Sequence, residues 1–294
     1  MAGIKELRLR IKALKNTSKI TAAMKMVSAA KLKKAQDANA RSKPYAERME
    51  EMLDRVLKAV DKPEHLLTEI RDVKRVRYVL VSSDRGLCAG FNNNLFKAFL
   101  RRPTDTAPVE TLGLGRRARD LAARTPNLSA LSSTFTNFPL YSNAQAISKT
   151  LIDDFLAGKC DKVVLVFNRF RSVLSQQPVF VPLLPFSPPS VGAGTRPAPT
   201  DGATKELRDD YFLEPDATSL FAELLPKLVA LQVFRALLEN AVGEHSARMT
   251  AMDSATRNTK ELIGSLTLTM NRARQASITR ELIEIVSGAE ALKG

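Results

Sequence analysis

The chain has 294 residues, of which 44% are hydrophobic, so it can bury a substantial core in one or two domains. Its formal net charge of +14 favours an anionic partner such as nucleic acid, acidic lipid or an acidic protein. Only two histidines and two distant cysteines are present, and apolar runs are far shorter than the roughly 20 residues of a membrane-spanning helix, which argues against a histidine metal cluster, a CxxC motif and a membrane span.

The first 60 residues carry the spacing of a coiled-coil helix, with an expected kink at Pro44. Residues 1–34 contain ten Lys and Arg against the single acid Glu6, a net charge of +9, but no aromatic residue to stack on bases. Charge alone does not choose among anionic partners. The apolar spacing slips in phase after residue 14 and then resumes, which gives three predicted groups: Ile4, Leu7, Ile11, Leu14; Ile20, Met24, Val27; and Met49, Leu53, Val56, Val60.

The middle of the chain alternates strand and helix signals. Strands are predicted at residues 73–82, 109–115, 162–170 and 173–183, and helices at residues 94–100, 116–124 and 143–156. This order predicts an α/β domain with a mainly parallel sheet whose last two strands form a hairpin across residues 171–172. Residues 188–202, rich in Pro, Gly, Ala and Thr, predict a mobile loop.

Two glycine patterns in this domain could indicate chemistry. Residues 86–90 lack the Gly-Lys-Ser/Thr ending of a P-loop, which favours a tight turn. Residues 113–118 fit the dinucleotide pattern GxGxxA after a strand, but no Asp or Glu occurs between residues 121 and 152 to hold a ribose. Arg116 or Arg117 could meet a 2′-phosphate instead, so an NADP-binding enzyme stays open as an alternative.

The last quarter of the chain, residues 221–291, is the longest helical signal. A seven-residue repeat holds for eight heptads, and a helix of this length would extend for about 105 Å. We expect it to pair antiparallel with the first helix and to project beyond residue 4 at its carboxyl end. Twelve of the seventeen repeat positions are apolar. The seventeen positions are Phe221, Leu224, Leu228, Leu231, Arg235, Leu238, Val242, His245, Met249, Met252, Thr256, Thr259, Ile263, Leu266, Met270, Ala273 and Ser277.

Three segments together resemble one known family, the γ subunit of bacterial F-type ATP synthase. Residues 15–31 (KNTSKITAAMKMVSAAK) resemble its amino-terminal helix. Residues 72–76, running on to residues 83–92 (SDRGLCAGFN), resemble its central signature. Residues 271–289 (NRARQASITRELIEIVSGA) resemble its carboxyl-terminal signature. Residues 104–203 match only in general character.

The resemblance implies an antiparallel two-helix coiled coil, formed by residues 1–62 and 211–294, around a central Rossmann-like α/β domain at residues 63–210. It implies a non-catalytic rotor that couples proton-driven rotation of the c-ring to the catalytic sites of the α3β3 hexamer. The ε subunit is a further implied partner, and no cofactor, nucleic acid or membrane span is expected. The implied location is peripheral, at the cytoplasmic face of a bacterial plasma membrane. A basic coiled coil that binds nucleic acid is the other alternative.

The resemblance also implies roles for individual residues. The resemblance implies contact with the α3β3 hexamer, here called the stator, or support of that contact, for seven residues: Met24, Lys25, Arg248, Arg274, Gln275, Thr279 and Glu281. Proximity to the c-ring is implied for Tyr211 and Glu214. The family signature contains Asp84, Arg85, Gly86, Leu87, Cys88, Gly90 and Asn92.

Overall fold

The computed structural model describes residues 2–59, 65–102, 108–122, 130–133, 139–187 and 216–291. It contains two very long helices that bracket shorter strands and helices, as predicted. In chain order the elements are α1 (Ala2–Ala59), β1 (Val76–Val81), α2 (Phe91–Leu100), β2 (Val109–Leu114), α3 (Arg116–Ala122), β3 (Ala130–Ser133), α4 (Tyr141–Leu156), β4 (Lys162–Phe170), β5 (Gln176–Leu184) and α5 (Ala217–Ala291).

The five strands form one sheet in the order β3-β2-β1-β4-β5. Strands β3, β2, β1 and β4 are parallel, and β5 pairs antiparallel with β4, so the predicted mainly parallel sheet and its hairpin are confirmed. All six residues of β1 are buried, as expected for a central strand covered on both faces. The short strand β3 was not predicted, and α2 begins three residues earlier than expected.

Contacts divide the chain into two compact units. The long-helix unit comprises Met1–Lys31, Leu87–Ala89 and His245–Gly294, and the sheet unit comprises Leu32–Gly86 and Gly90–Glu244. Residues 32–59 of α1 and 217–244 of α5 therefore belong to the sheet unit. The predicted domain boundaries at residues 62 and 210 lie outside the described residues and stay predictions.

In the sheet unit, alternate residues of each strand face opposite sides, as the strand period requires. On one side, Val79 and Leu165 share a core with Leu151 of α4 and with apolar residues of α1 and α5. On the other side, Tyr78 and Leu80 pack with α2 and α3 through Leu95, Phe99 and Ala118. The shorter helices therefore cover both faces, as in a doubly wound α/β domain.

In the long-helix unit, α5 follows the predicted repeat. Each repeat position from Met249 to Ser277 is buried or partly buried. The predicted phase slip in α1 is wrong, because Ile20 and Val27 are 60% and 57% exposed, although Met24 of the same predicted group is partly buried. The inward face of α1 keeps an unbroken spacing of three and four residues through Ile11, Leu14, Ser18, Thr21, Met24 and Ser28, all of which are buried or partly buried. Small hydroxyl side chains continue this face, and a search for apolar residues alone overlooks them.

Two contacts fix the register of the helices within this unit. Thr256 Oγ1 donates to Thr21 Oγ1 at 2.8 Å, and Lys25 Nζ lies 2.6 Å from Asp253 Oδ1. The residue numbers of these pairs add up to 277 and 278, so the helices run antiparallel and residue 4 lies opposite residues 273–274. The carboxyl-terminal tip, residues 278–291 of α5, therefore extends past the start of α1, as predicted.

Candidate functional site

All seven residues predicted to contact or support a stator belong to the long-helix unit. Met24 is partly buried, and Arg248 is buried. Lys25 and the four residues near the carboxyl terminus, Arg274, Gln275, Thr279 and Glu281, are exposed. The structure separates the residues near Lys25 from those near the carboxyl terminus. Lys25 pairs with Asp253, which precedes Arg274 by 21 residues, or about 32 Å along a helix.

Lys25 is bound within the chain. Asp253 accepts its hydrogen bond and also lies 3.2 Å from Arg257. The hydrogen bond from Lys25 is the main reason why the pKa of Asp253 is lowered. Sequence reasoning missed Asp253, because it falls outside the apolar repeat and its partner lies 228 residues away. The charge of Lys25 is therefore matched by α5 before any external partner is considered.

Arg248 is held by a histidine one turn earlier on α5. Its Nη1 donates to Nδ1 of His245 at 3.3 Å, since a guanidinium cannot accept. Burial lowers the pKa of His245 to about 4, with further contributions from the positive charges of Arg248 and Lys31. The imidazole is therefore neutral near pH 7, as this contact requires. His245 thus has the predicted role of a hydrogen-bonded residue at the helix seam.

The carboxyl-terminal tip presents apolar side chains to solvent. Its polar groups are bonded along the helix: Thr279 Oγ1 donates to the carbonyl of Gln275 at 3.0 Å, and Ser277 Oγ donates to Glu281 at 3.2 Å. Such an exposed apolar surface at a helix end is suited to contact with another protein. Between 49% and 67% of each of these side chains is exposed: Ile278, Leu282, Ile283, Ile285 and Val286.

The signature loop after β1 has a structural role in the sheet unit. Asp84 Oδ1 accepts from the backbone N–H of Arg116 at 2.9 Å and so caps α3. Asn92 exchanges hydrogen bonds with Ser83, including Asn92 Nδ2 to Ser83 Oγ at 2.7 Å. Ser83 Oγ also donates to the carbonyl of Arg85 at 2.8 Å. These bonds explain why polar residues surround the glycines here.

The glycines of this loop allow close approach of neighbouring side chains. A Cβ at Gly86 would lie 2.8 Å from Arg117 Nη2, and one at Gly90 would lie 3.2 Å from Asn94 Nδ2. Leu87 and Ala89 have positive φ angles of 61° and 48°. Together with buried Cys88 they belong to the long-helix unit.

The amino terminus of α3 is where the pattern GxGxxA would place a dinucleotide phosphate. Its backbone donors are already used: Arg116 bonds to Asp84, Arg117 to the carbonyl of Ser83 at 3.2 Å, and Ala118 to Ser82 Oγ at 2.7 Å. A phosphate would have to displace these three partners. The geometry therefore contradicts the NADP-binding alternative.

The crevice at the carboxyl ends of β1 and β4 is the usual ligand site of a doubly wound sheet, because the strand order reverses there. Here α5 fills this position. Asn240 Nδ2 donates to the carbonyl of Ser82 at 3.4 Å, and Asn168 Nδ2 donates to the carbonyl of Phe91 at 3.1 Å. A Cβ at Gly243 would lie only 3.0 Å from the Phe91 ring. The chain thus occupies its own potential binding crevice.

Among the described residues there is no group of three or more His, Cys, Asp or Glu side chains that could hold a metal ion. Within the same ranges, each helix is too short or too polar to cross a membrane. Tyr211 and Glu214, predicted to lie near a c-ring, fall outside the described residues.

Comparison with known proteins gives a consistent result. A family model described as ATP synthase matches residues 3–292. The chain is 42% identical to the ATP synthase gamma chain of Trichlorobacter lovleyi and 43% identical to that of Desulforamulus reducens, over the full length of all three chains. The fold is similar to that of a chain in the Euglena gracilis mitochondrial ATP synthase OSCP/F1/c-ring structure, with a TM-score of 0.66 and 19% identity, covering 99% of this chain and 95% of that one. It is also similar to a chain in the Tetrahymena thermophila mitochondrial ATP synthase central stalk/c-ring structure. There the TM-score is 0.59 and the sequence identity 22%, and the match covers 80% of this chain and 99% of that one.

Proposed function

The chain belongs to the family of ATP synthase γ chains, and we propose that it acts as the central-stalk rotor of F-type ATP synthase. Rotation of the c-ring, driven by protons, turns the chain inside the α3β3 hexamer and takes the three catalytic sites in turn through binding, synthesis and release of ATP. The chain performs no chemistry itself. The observation that carries this proposal is the 42–43% identity to γ chains over the whole length.

The long-helix unit supports this role mechanically. Its two antiparallel helices are joined by a continuous seam, and paired helices resist bending and twisting better than a single helix. Apolar residues that face outward on α1, namely Ile20, Met26 and Val27, are 57–74% exposed and could contact a surrounding protein sleeve. Exposed Lys and Arg side chains beside them favour acidic groups on that sleeve.

The structure supports different roles for the predicted site residues. We propose that Met24, Arg274, Gln275, Thr279 and Glu281 meet the stator directly, because they are exposed or partly exposed. Lys25 and Arg248 act instead from within the helix pair, through Asp253 and His245.

We propose that the sheet unit contacts the ε subunit and the c-ring, with Tyr211 and Glu214 on the c-ring side. As a part of F1 the chain is peripheral to the membrane, and we place it at the cytoplasmic face of the bacterial plasma membrane.

Co-purification tests the proposed function. When the tagged chain is expressed with the α and β subunits of the same organism, we expect both to be recovered with it at low and moderate salt. A bead attached to the sheet unit of the purified complex should rotate when ATP is added. Failure to recover α and β, together with steeply salt-dependent binding to duplex DNA, would instead support the nucleic-acid alternative.

The carboxyl-terminal tip should become protected on assembly. Trypsin should cut after Arg280 at least about tenfold more slowly in the α3β3 complex than in the free chain, because a surrounded helix end opens less often. Mass spectrometry of timed digests measures both rates. Cleavage after Lys205, just beyond the predicted loop and outside the described residues, is the internal control and should not change. Equal rates at Arg280 in both samples would show that the tip is not enclosed.

A further inference from the structure

One segment of α1 within the long-helix unit buries polar side chains. Between residues 18 and 28 the buried residues are Thr21 and Ser28, which are only 9% and 3% exposed, and Met24 between them is partly buried. The neighbouring apolar residues, Ile20, Met26 and Val27, lie on the outside. For this segment taken alone, the hydrophobic effect would favour burial of Ile20 and Val27 instead. Polar contacts across the seam therefore add to Ile11 and Leu14, which lie on the same inward face, in selecting the observed rotation.

The competing arrangement is close in geometry. Ile20 and Val27 each precede a buried residue, Thr21 or Ser28, by one position. A rotation of α1 by about 100° around its own axis would bring Ile20 and Val27 to the seam. It would also remove Lys25 from Asp253 and Thr21 from Thr256.

Polar groups on α5 oppose that rotation. Asp253 binds Lys25 at 2.6 Å, and Thr256 Oγ1 lies 2.8 Å from Thr21 Oγ1 and 2.7 Å from the carbonyl of Met252. Thr21 Oγ1 in turn lies 3.1 Å from the carbonyl of Ser18. With apolar side chains against them, Asp253 and Thr256 would lose these cross-helix partners, and the carboxylate of Asp253, now 35% exposed, would also lose contact with water.

We propose that Asp253 and Thr256 are positioning residues that hold α1 in the rotation that keeps Ile20 and Val27 on the outer surface. The purpose of that surface, contact with the stator, rests on the proposed function. The orientation of α1 is a property of the chain itself and can be tested without the rest of the enzyme.

Thiol labelling of the full-length chain tests the orientation. In separate variants, Val27→Cys should react with a maleimide at least about tenfold faster than Ser28→Cys, because only residue 27 is exposed. Cys88 and Cys160 are buried and should contribute little labelling. Similar rates at 27 and 28 in the otherwise unchanged chain would overturn the proposal.

Substitution of the two positioning residues tests their role. Adding Asp253→Leu and Thr256→Val to each cysteine variant should reduce the 27-to-28 ratio of labelling rates several-fold or reverse it. Asn258→Val and Glu261→Leu, at exposed positions of α5, form the matched control and should leave the ratio unchanged. A ratio that persists after the seam substitutions would show that other contacts hold α1.

Charge exchange in the assembled enzyme separates this proposal from a direct stator contact of Lys25. Lys25→Asp and Asp253→Lys should each reduce ATP-driven proton pumping relative to ATP hydrolysis, and the double variant should recover most of it. A double variant as impaired as Lys25→Asp would assign Lys25 to an external partner and overturn the role of Asp253. Co-purification with α and β would be retained in that case, so the proposed function would still stand.

Discussion

Replacement of Arg77 by Met should lower the free energy of unfolding by about 3 kcal/mol or more, since removal of one partner from a buried ion pair leaves the other unpaired. Only 5% of the Arg77 side chain is exposed. Its guanidinium bonds to Asp154, which is also buried, and to Glu110 at 2.7 Å. Lys159, 2.8 Å from Asp154, would still offset part of the loss, so we expect the lower end of the range for such pairs.

Urea denaturation followed by circular dichroism measures this effect. Arg48→Met is the matched control, because Arg48 forms a similarly short ion pair with Glu51 at 2.9 Å but its side chain is 80% exposed. Exposed pairs contribute little, so the control should leave stability almost unchanged. Equal destabilisation by the two substitutions would contradict a special role for the buried network.

The same network predicts a pH dependence. Burial alone would raise the pKa of Asp154, but hydrogen bonds from Lys159 and Arg77 outweigh it, and the pKa is lowered. A carboxylate with a lowered pKa stabilises the fold above its unfolded pKa of about 4, and this contribution is lost as the pH falls through the folded pKa. The stability difference between the wild type and Arg77→Met should therefore narrow below about pH 4.

The alternating order of elements could be predicted because strands and helices here differ strongly in composition. Strand β4 is a β-branched, apolar run, and its observed bounds are the predicted ones. Strand β3 was missed because four residues, Ala130–Ser133, are too short for any periodicity and include no β-branched residue. Its position depends on pairing with β2, a long-range interaction that local sequence does not encode.

The helix seam shows a different limit. The repeat in α5 was correct because its seam is mostly apolar, and the apolar pattern of α1 gave the wrong face between residues 18 and 28. There, Thr21 packs inward with a hydrogen-bond partner, Thr256, on α5, and the small side chain of Ser28 is buried on the same face. The partners Asp253 and Thr256 are more than 220 residues away in sequence. Periodicity on one helix therefore could not identify them.

The glycine pattern at residues 113–118 was ambiguous for a related reason. A pattern such as GxGxxA specifies a tight turn and close packing, but not which groups the backbone donors of the next helix bind. In this protein Ser82, Ser83 and Asp84, some 30 residues earlier, provide those acceptors. The sequence indicated the geometry of the turn, and only the fold shows that these donors already have acceptors within the chain.

Gly115→Ala should therefore destabilise the chain by about 3 kcal/mol, through two effects that add. Gly115 has a φ of +93°, where an L-residue is strained by about 1–2 kcal/mol. A Cβ there would also lie 2.5 Å from the backbone oxygen of Ser82 and 2.9 Å from its Oγ. Because Ser82 Oγ accepts from Ala118 at 2.7 Å, relief of this clash would disturb the capping of α3.

Gly158→Ala separates backbone strain from the clash. Gly158 also has a positive φ, +66°, but nothing lies within 4 Å of a Cβ built there. It should cost only the strain, about 1 kcal/mol. Urea denaturation of both variants gives the two free energies, and the excess at Gly115 measures the close approach to Ser82. If the two substitutions cost the same, Gly115 is needed for its backbone angle alone, and its close approach to Ser82 does not explain the GxGxxA pattern.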